Sequence, residues 1–406
     1  MRNKIKRLII FLLLFPLLAG CMGKREIDDL AIVTAVGFDQ GGENGKVRIT
    51  AQIVRPADAR GQTGAPSGGT GEPIYSITAE GESIMSAMRN LGRFSSRRVF
   101  WAQNFIIAIN EKVAREGITD IIDFFTRNHE TRMETWVVVT PDNAGKLVST
   151  VTGLEVIPGS ALDKLFRYNE IVAEAPRTNI MRLEESYLSE STQPILARMK
   201  LRNREISNKK PEEFGSINQV ELSGTAVFKR DKMVGWLTPL ESRGMLFFIE
   251  NVQSAVVVLP CPGLENSEEK KKVSIELKSQ KFAVTPRYEA GRVEFDVKLV
   301  TYGDMVESAC DESLDKMKST LEQALEKELT SEINSVVQKA QKQYKADFLK
   351  LGEVFNNKFP AEWKKLKGNW ESEFTQAKVN VKIEAHINSP VLLVKPTKSW
   401  KGGPKK

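Results

Sequence analysis

The first 21 residues decide which part of this chain can fold and on which side of a membrane it does so. Arg2, Lys4, Lys6 and Arg7 form a basic start, and Leu8 to Ala19 is an apolar run broken only by Pro16. That run is shorter than the ~20 apolar residues a membrane-spanning helix requires. A basic start, a short apolar stretch and small residues before a cut describe a secretory signal peptide, residues 1–20. The cut falls before a cysteine, in Leu18-Ala19-Gly20-Cys21, the arrangement of a bacterial lipobox. Small Ala19 and Gly20 suit a peptidase that grips the backbone, and the Cys21 thiol is the nucleophile that takes the diacylglyceryl group. The expectation is a chain exported, cut before Cys21 and held by lipid on the extracytoplasmic face of a membrane.

Cleavage changes the charge argument. It removes four basic residues and no acids, leaving 55 Lys+Arg against 52 Asp+Glu, a net charge of +3 where the whole chain has +7. Ser389 to Lys406 carries five lysines and no acid, and residues 391–406 are read as a solvated basic tail, with contact to anionic lipid as the alternative. The body is close to neutral, so no basic footprint for nucleic acid is implied. Cys261 and Cys310 are the only cysteines besides Cys21. Outside the cytoplasm they can form a disulfide or remain two separate buried thiols, and the sequence does not decide between them.

Periodicity gives the expected organisation. Ala31 to Phe38 is apolar on both faces, as a central strand is. Val47, Ile49, Ala51 and Ile53 alternate with polar residues after an Asn44-Gly45 turn signal. Residues 60–72 form a Gly-rich loop. Ile84, Ala87, Met88 and Leu91, and later Ile118, Ile121, Ile122 and Phe125, follow the spacing of one helix face, with strands expected at 105–109 and 136–139. Residues 155–205 read as irregular helix, and Arg202 to Pro211 as a linker. In the next region Val220 to Phe228 and Met233 to Leu237 read as a hairpin. Thr238-Pro239-Leu240-Glu241 is a capping box that should open a helix, and a strand at 252–259 follows. The last region holds strands near 273–277 and 293–300 and one helix from about Asp311 to Ala346, roughly 50 Å long. A second helix begins near Pro360 with Trp363, Leu366, Trp370 and Phe374 on one face, before a strand at 379–385. The fold class is α/β (α+β): three mixed domains in series, over 21–205, 215–265 and 266–390, with antiparallel sheet in the last covered by a long C-terminal helix. A coiled coil is the rival for that helix, but its heptads are not sustained.

No catalytic or metal-binding constellation emerges. His129 and His386 are the only histidines, and no HExxH, GxSxG or CxxC motif occurs. Gly41 to Val47 lacks both the glycine spacing and the hydroxyl residue of a phosphate loop. The expectation is a non-enzyme with no cofactor and no metal. The polar cluster Arg127, His129 and Arg132, just past a helix end, is the candidate contact for a protein partner; solvated helix-end cations are the alternative.

These residues resemble the Ger(x)C family, the C-subunit lipoproteins of bacterial spore germinant receptors. Leu30-Ala31-Ile32-Val33-Thr34-Ala35-Val36-Gly37-Phe38-Asp39, soon after a lipobox, is similar to the family's start. Leu222 to Phe228 with Lys232 to Leu237 resembles its middle motif, and Ala346 to Gly352 followed by Phe359-Pro360-Ala361-Glu362-Trp363 its C-terminal motif. Met22-Gly23 stands where the family often has Trp-Asp, and Gln103 where it tends to carry a histidine. The resemblance implies three α/β domains and a complex with polytopic A and transporter-like B subunits in the inner spore membrane; it does not imply catalysis. A solute-binding lipoprotein of an uptake system, or a lipoprotein enzyme, would share the anchor. The first needs two similar lobes and the second a catalytic constellation.

Overall fold

The computed structural model describes residues 26–388 apart from 43–44, 56–73, 151–154, 156, 169–170, 204–217, 251 and 264–270. The signal peptide, Cys21, the Gly-rich loop, most of the expected linker and the basic tail lie outside the described residues.

The first sheet is built around β1 (Leu30–Gln40). It pairs antiparallel with β2 (Val47–Val54), and β2 pairs antiparallel with β3 (Ile74–Gly81). On its other side it runs parallel with β5 (Ile106–Asn110), and its first residues run parallel with the short β4 (Arg98–Phe100). Parallel pairing continues through β6 (Trp136–Thr140) to β7 (Ile195–Asn203). Then β8 (Asn218–Lys229) and β9 (Lys232–Leu237) add antiparallel strands. Alternate residues of the central strands serve two cores. Val36, Phe38, Ile107 and Val139 pack on one face, and Ala35, Ile106, Ala108 and Val138 on the other. That is why Ala31 to Phe38 carries no polar alternation.

Crossover helices cover this sheet: α1 (Ile84–Leu91), α2 (Glu111–Glu116), α3 (Thr119–Arg127), α4 (Ala144–Ser149), α5 (Pro158–Tyr168) and α6 (Ile180–Leu188). The expected faces are the buried ones: Ile84, Ala87, Met88 and Leu91 in α1, and Ile121, Ile122 and Phe125 in α3. Ser83 caps α1 by accepting from the Ser86 N–H, satisfying a backbone donor that the first helical turn leaves unpaired.

Residues 155–205 are not all helical, because Ile195–Asn203 is strand β7. Its Ala, Arg, Met, Lys and Leu are good helix formers, but hydrogen bonds to β6 and β8 override that local preference. Arg202 and Asn203, expected in a linker, end this strand.

The region 215–265 builds no sheet of its own among the described residues. Its hairpin, β8 and β9, extends the first sheet. Its helix α7 (Pro239–Ile249) and strand β10 (Ala255–Pro260) belong to the second core. The capping box at Thr238 is formed: Thr238 Oγ1 accepts from the Glu241 N–H, and Glu241 accepts from the Thr238 N–H at 2.8 Å.

The second sheet has the order β10–β11–β12–β13. β11 (Lys272–Glu289) and β12 (Arg292–Ser308) form a hairpin much longer than the two short strands expected. β13 (Lys378–Asn388) pairs parallel with β12, which corrects the antiparallel expectation. Helices fill the chain between these two strands, and a crossover of that length can return in the same direction.

The long helix α8 is Leu314–Gln338, about 38 Å at 1.5 Å per residue, and continues as a π-helical turn over Lys339–Tyr344. It is therefore shorter than the regular helix expected to Ala346. Met317, Leu321, Leu325, Leu329 and Ile333 form its buried stripe. Two glutamates beside that stripe bond to the second sheet: Glu326 accepts from the Ala385 N–H and Glu322 from the Ile387 N–H. Backbone donors at the β13 edge are thereby covered, as an edge strand requires. Three short helices follow, α9 (Leu351–Lys358), α10 (Pro360–Leu366) and α11 (Trp370–Gln376). The expected single helix from Pro360 is broken by a 3₁₀ turn at Lys367–Asn369, while Trp363, Trp370 and Phe374 stay buried. Cys261, just after β10, is bonded to Cys310, just after β12, with Cα atoms 5.6 Å apart.

Candidate functional site

The sequence motifs singled out above hold backbone in place. At the end of β1, Asp39 is buried and both of its oxygens accept from the start of α4, from the Ala144 N–H at 2.9 Å and the Gly145 N–H at 2.8 Å. A carboxylate suits that position because the first amides of a helix have no internal partner and carry partial positive charge. Gly37 lets α4 approach: a Cβ there would sit 2.7 Å from the Ala144 carbonyl carbon. In the middle motif Gly224 has φ +94°, and a Cβ would meet the Arg198 guanidinium at 2.7 Å. Arg198 lies 5.6 Å from the Trp236 ring and donates to the Ser223 carbonyl.

The C-terminal motif repeats the device. Asp347 is buried and accepts from the Leu351 N–H, the Gly352 N–H and the Trp370 indole N–H at 3.1, 2.7 and 3.0 Å. Burial pushes its carboxyl up to about 6 against the pull of these three bonds. Relative to an unfolded carboxyl near 3.9, the folded chain holds this proton more tightly. The contribution to stability is full below about pH 4 and is lost as the pH rises through 6. Asp347→Asn should therefore flatten the dependence of unfolding free energy on pH between 4 and 6. Denaturant titrations at pH 4, 5, 6 and 7 measure that slope; equal slopes for both proteins would show that Asp347 titrates normally.

The candidate contact residues separate. A groove of about 950 Å³ runs between the start of α1, the β1–β2 turn and the α2–α3 face, and Arg127 and His129 line it. Arg132 is not among its lining residues. Its apolar wall includes Ile84, Met85, Val113, Ile121 and Phe124, and its rim carries Glu82, Glu116, Asp120 and Asp123. Arg127 is ion-paired to Asp123 at 2.6 Å, which holds the guanidinium more firmly charged than usual. Lys46 lines the groove as well, but acids outnumber bases around it, so with its apolar floor it suits an apolar group bearing positive charge. Sequence reasoning missed the groove because its walls come from three segments, each of which reads only as an ordinary helix or turn.

Among the described residues, no group of three or more His, Cys, Asp or Glu could hold a metal ion. His386 is on the exposed side of β13, its ring 5.0 Å from that of Tyr302. No described helix is long and apolar enough to cross a membrane.

Comparison with known proteins agrees with the motif order. The family described as spore germination protein N-terminal domain matches residues 23–201, and that described as spore germination B3/GerAC like, C-terminal, matches 223–390. The chain belongs to the Ger(x)C family. Ger(x)C relatives match along nearly the whole chain. Spore germination protein KC of Bacillus subtilis (strain 168) is 28% identical over 404 residues, covering 96% of this chain and 97% of the relative. Spore germination protein B3 of the same organism is 21% identical, covering 95% and 98%. The crystal structure of the GerBC protein shares the fold, with a TM-score of 0.54 at 20% identity over 87% of this chain and 98% of that one. Ger(x)C proteins are germinant-receptor C subunits, and in this chain Asp39, Gly224 and Asp347 hold the backbone of the three segments that carry the resemblance.

Proposed function

We propose that this chain is a lipid-anchored, non-catalytic subunit of a nutrient germinant receptor. In this reading it is held by Cys21 at the extracytoplasmic face of the inner spore membrane. It assembles there with polytopic A and B subunits and is required for receptor assembly or signalling. The observation that carries the reading is the pair of family matches, in order over 23–201 and 223–390, directly behind a lipobox. Two acyl chains hold a protein stably at a bilayer, whereas one binds marginally, each buried methylene contributing ~0.8 kcal/mol.

Mass spectrometry of the N-terminal peptide tests the anchor. The peptide should begin at Cys21 and carry a diacylglyceryl thioether. Cys21→Ala should abolish lipidation and the cut, and spores carrying it should germinate poorly on nutrients. A wild-type peptide that begins elsewhere, or an unmodified Cys21, would refute the anchor. Normal germination of the mutant spores would remove the anchor from the receptor's requirements.

A further inference from the structure

We infer that the loop between α1 and β4, centred on Arg93, Phe94 and Arg97, is a contact surface for anionic phospholipid. The inference rests on the reading that lipid on Cys21 keeps the chain at a bilayer.

Five residues lie between Cys21 and Ile27, so the six steps span at most about 20 Å even when fully extended. The first described turn, Ile27–Asp29, leads directly into β1, and β1 runs parallel with β4 with Leu30 opposite Arg98. The chain arriving from the anchor and the chain arriving from α1 thus enter the sheet side by side. Whatever bilayer holds Cys21 lies within reach of the residues that precede Arg98.

Between Glu82 and Glu111 the sequence has no acidic residue and four arginines, Arg89, Arg93, Arg97 and Arg98. All four are exposed. Arg98 is paired with Glu130 at 3.4 Å, whereas Arg89, Arg93 and Arg97 make no ion pair with a described residue. Phe94 stands between two of them 57% exposed, and Ile27 on the neighbouring segment is 70% exposed. The adjoining segments carry Glu26, Asp28, Asp29 and Glu134, so this end is not uniformly basic. What distinguishes the loop is charge of one sign flanking an exposed aromatic ring. Guanidinium groups bind phosphate oxygens bidentately, and an exposed phenyl ring beside them can bury itself at the boundary between headgroups and acyl chains.

The loop orients the anchored molecule. With β1 about 35 Å long, contact at its first residues places the acidic-rimmed groove, which includes Asp39 and Gln40 at the other end of the strand, away from the lipid surface.

The test uses the whole mature chain with Cys21→Ser, so that no lipid contributes, and vesicles of phosphatidylcholine alone or with 30% phosphatidylglycerol. Co-sedimentation should show binding to the anionic vesicles and little to the neutral ones. Arg93→Gln with Arg97→Gln should weaken it about 25-fold, roughly fivefold per charge near the surface. Phe94→Ser should weaken it further, and Lys298→Gln with Lys382→Gln, on the second sheet, should leave it unchanged. Equal binding to both vesicles, or no effect of the arginine pair, overturns the proposal. So does an arginine variant that keeps vesicle binding but no longer co-purifies with receptor subunits, since the loop would then serve a protein partner. The lipid on Cys21 is read separately by mass spectrometry. Vesicle binding by a chain whose native form proves unlipidated defeats the anchor alone, and a lipidated Cys21 without loop-dependent binding defeats the loop alone.

Discussion

Leu325→Asp should collapse the second core. Leu325 lies mid-way along α8, is 0% exposed, and belongs to the stripe of Met317, Leu321, Leu329 and Ile333 facing the second sheet. The substitution removes a fully buried leucine, worth about 2–5 kcal/mol when truncated. It also places a carboxylate among apolar side chains, where nothing pairs it. A loss of roughly 5 kcal/mol or more is comparable with the whole stability of many domains. The mature chain should melt roughly 10 °C or more below wild type, or fail to show a cooperative transition for this part. Leu325→Met, which nearly conserves volume, should cost less than about 1.5 kcal/mol. A melt of Leu325→Asp unchanged within error would mean that this face is solvated, which would revive the coiled-coil reading of the helix.

Much of this fold was legible because local rules and tertiary packing agree there. The four residues Ile84, Ala87, Met88 and Leu91 announce a helix and its buried face, and both are found. Thr238 to Glu241 announces a helix start, and the reciprocal hydrogen bonds are present. Ala31 to Phe38 announces a strand buried on both sides because each side serves its own core. Illegibility begins where a partner distant in sequence decides. β7 is composed of helix formers and is a strand only because β6 and β8 flank it. The assignment of β8 and β9 to the first sheet, and of β10 to the second, depends on pairings that no local pattern records. The candidate site divides in the same way. The lipobox can be read from four consecutive residues, whereas the role of Asp39 depends on amides 105 and 106 positions away. Arg127 and His129 were visible as a polar cluster, but the groove they line needs the β1–β2 turn and the start of α1.

A further long-range dependence is a buried ion pair, and breaking it should be costly. Arg243 on α7 is 5% exposed and Glu332 on α8 is 4% exposed, 89 positions apart. The guanidinium donates to both carboxylate oxygens, one of them at 2.9 Å, and its third bond goes to the Val256 carbonyl on β10 at 2.9 Å. The pair therefore ties the helix opened by the capping box to the long helix and to the edge of the second sheet. Arg243→Met keeps much of the side-chain volume but strands the carboxylate, at a cost of about 3–5 kcal/mol. Replacing both residues, Arg243→Met with Glu332→Leu, should recover most of that loss, because the desolvated charge goes too. The acidity of Glu332 adds a second signature. Burial already raises its pKa, with Arg243 opposing the shift, and removal of Arg243 takes that opposition away. A carboxyl with a raised folded pKa stabilises the chain at low pH and loses that contribution as the pH climbs through the folded value. Arg243→Met should thus be less destabilised at pH 5 than at pH 8, with the double variant showing no such difference. Urea titrations of the three proteins at both pH values decide the matter. A single variant as stable as wild type at pH 8 would mean that water reaches Glu332 and that the two helices are held together by their apolar contacts alone.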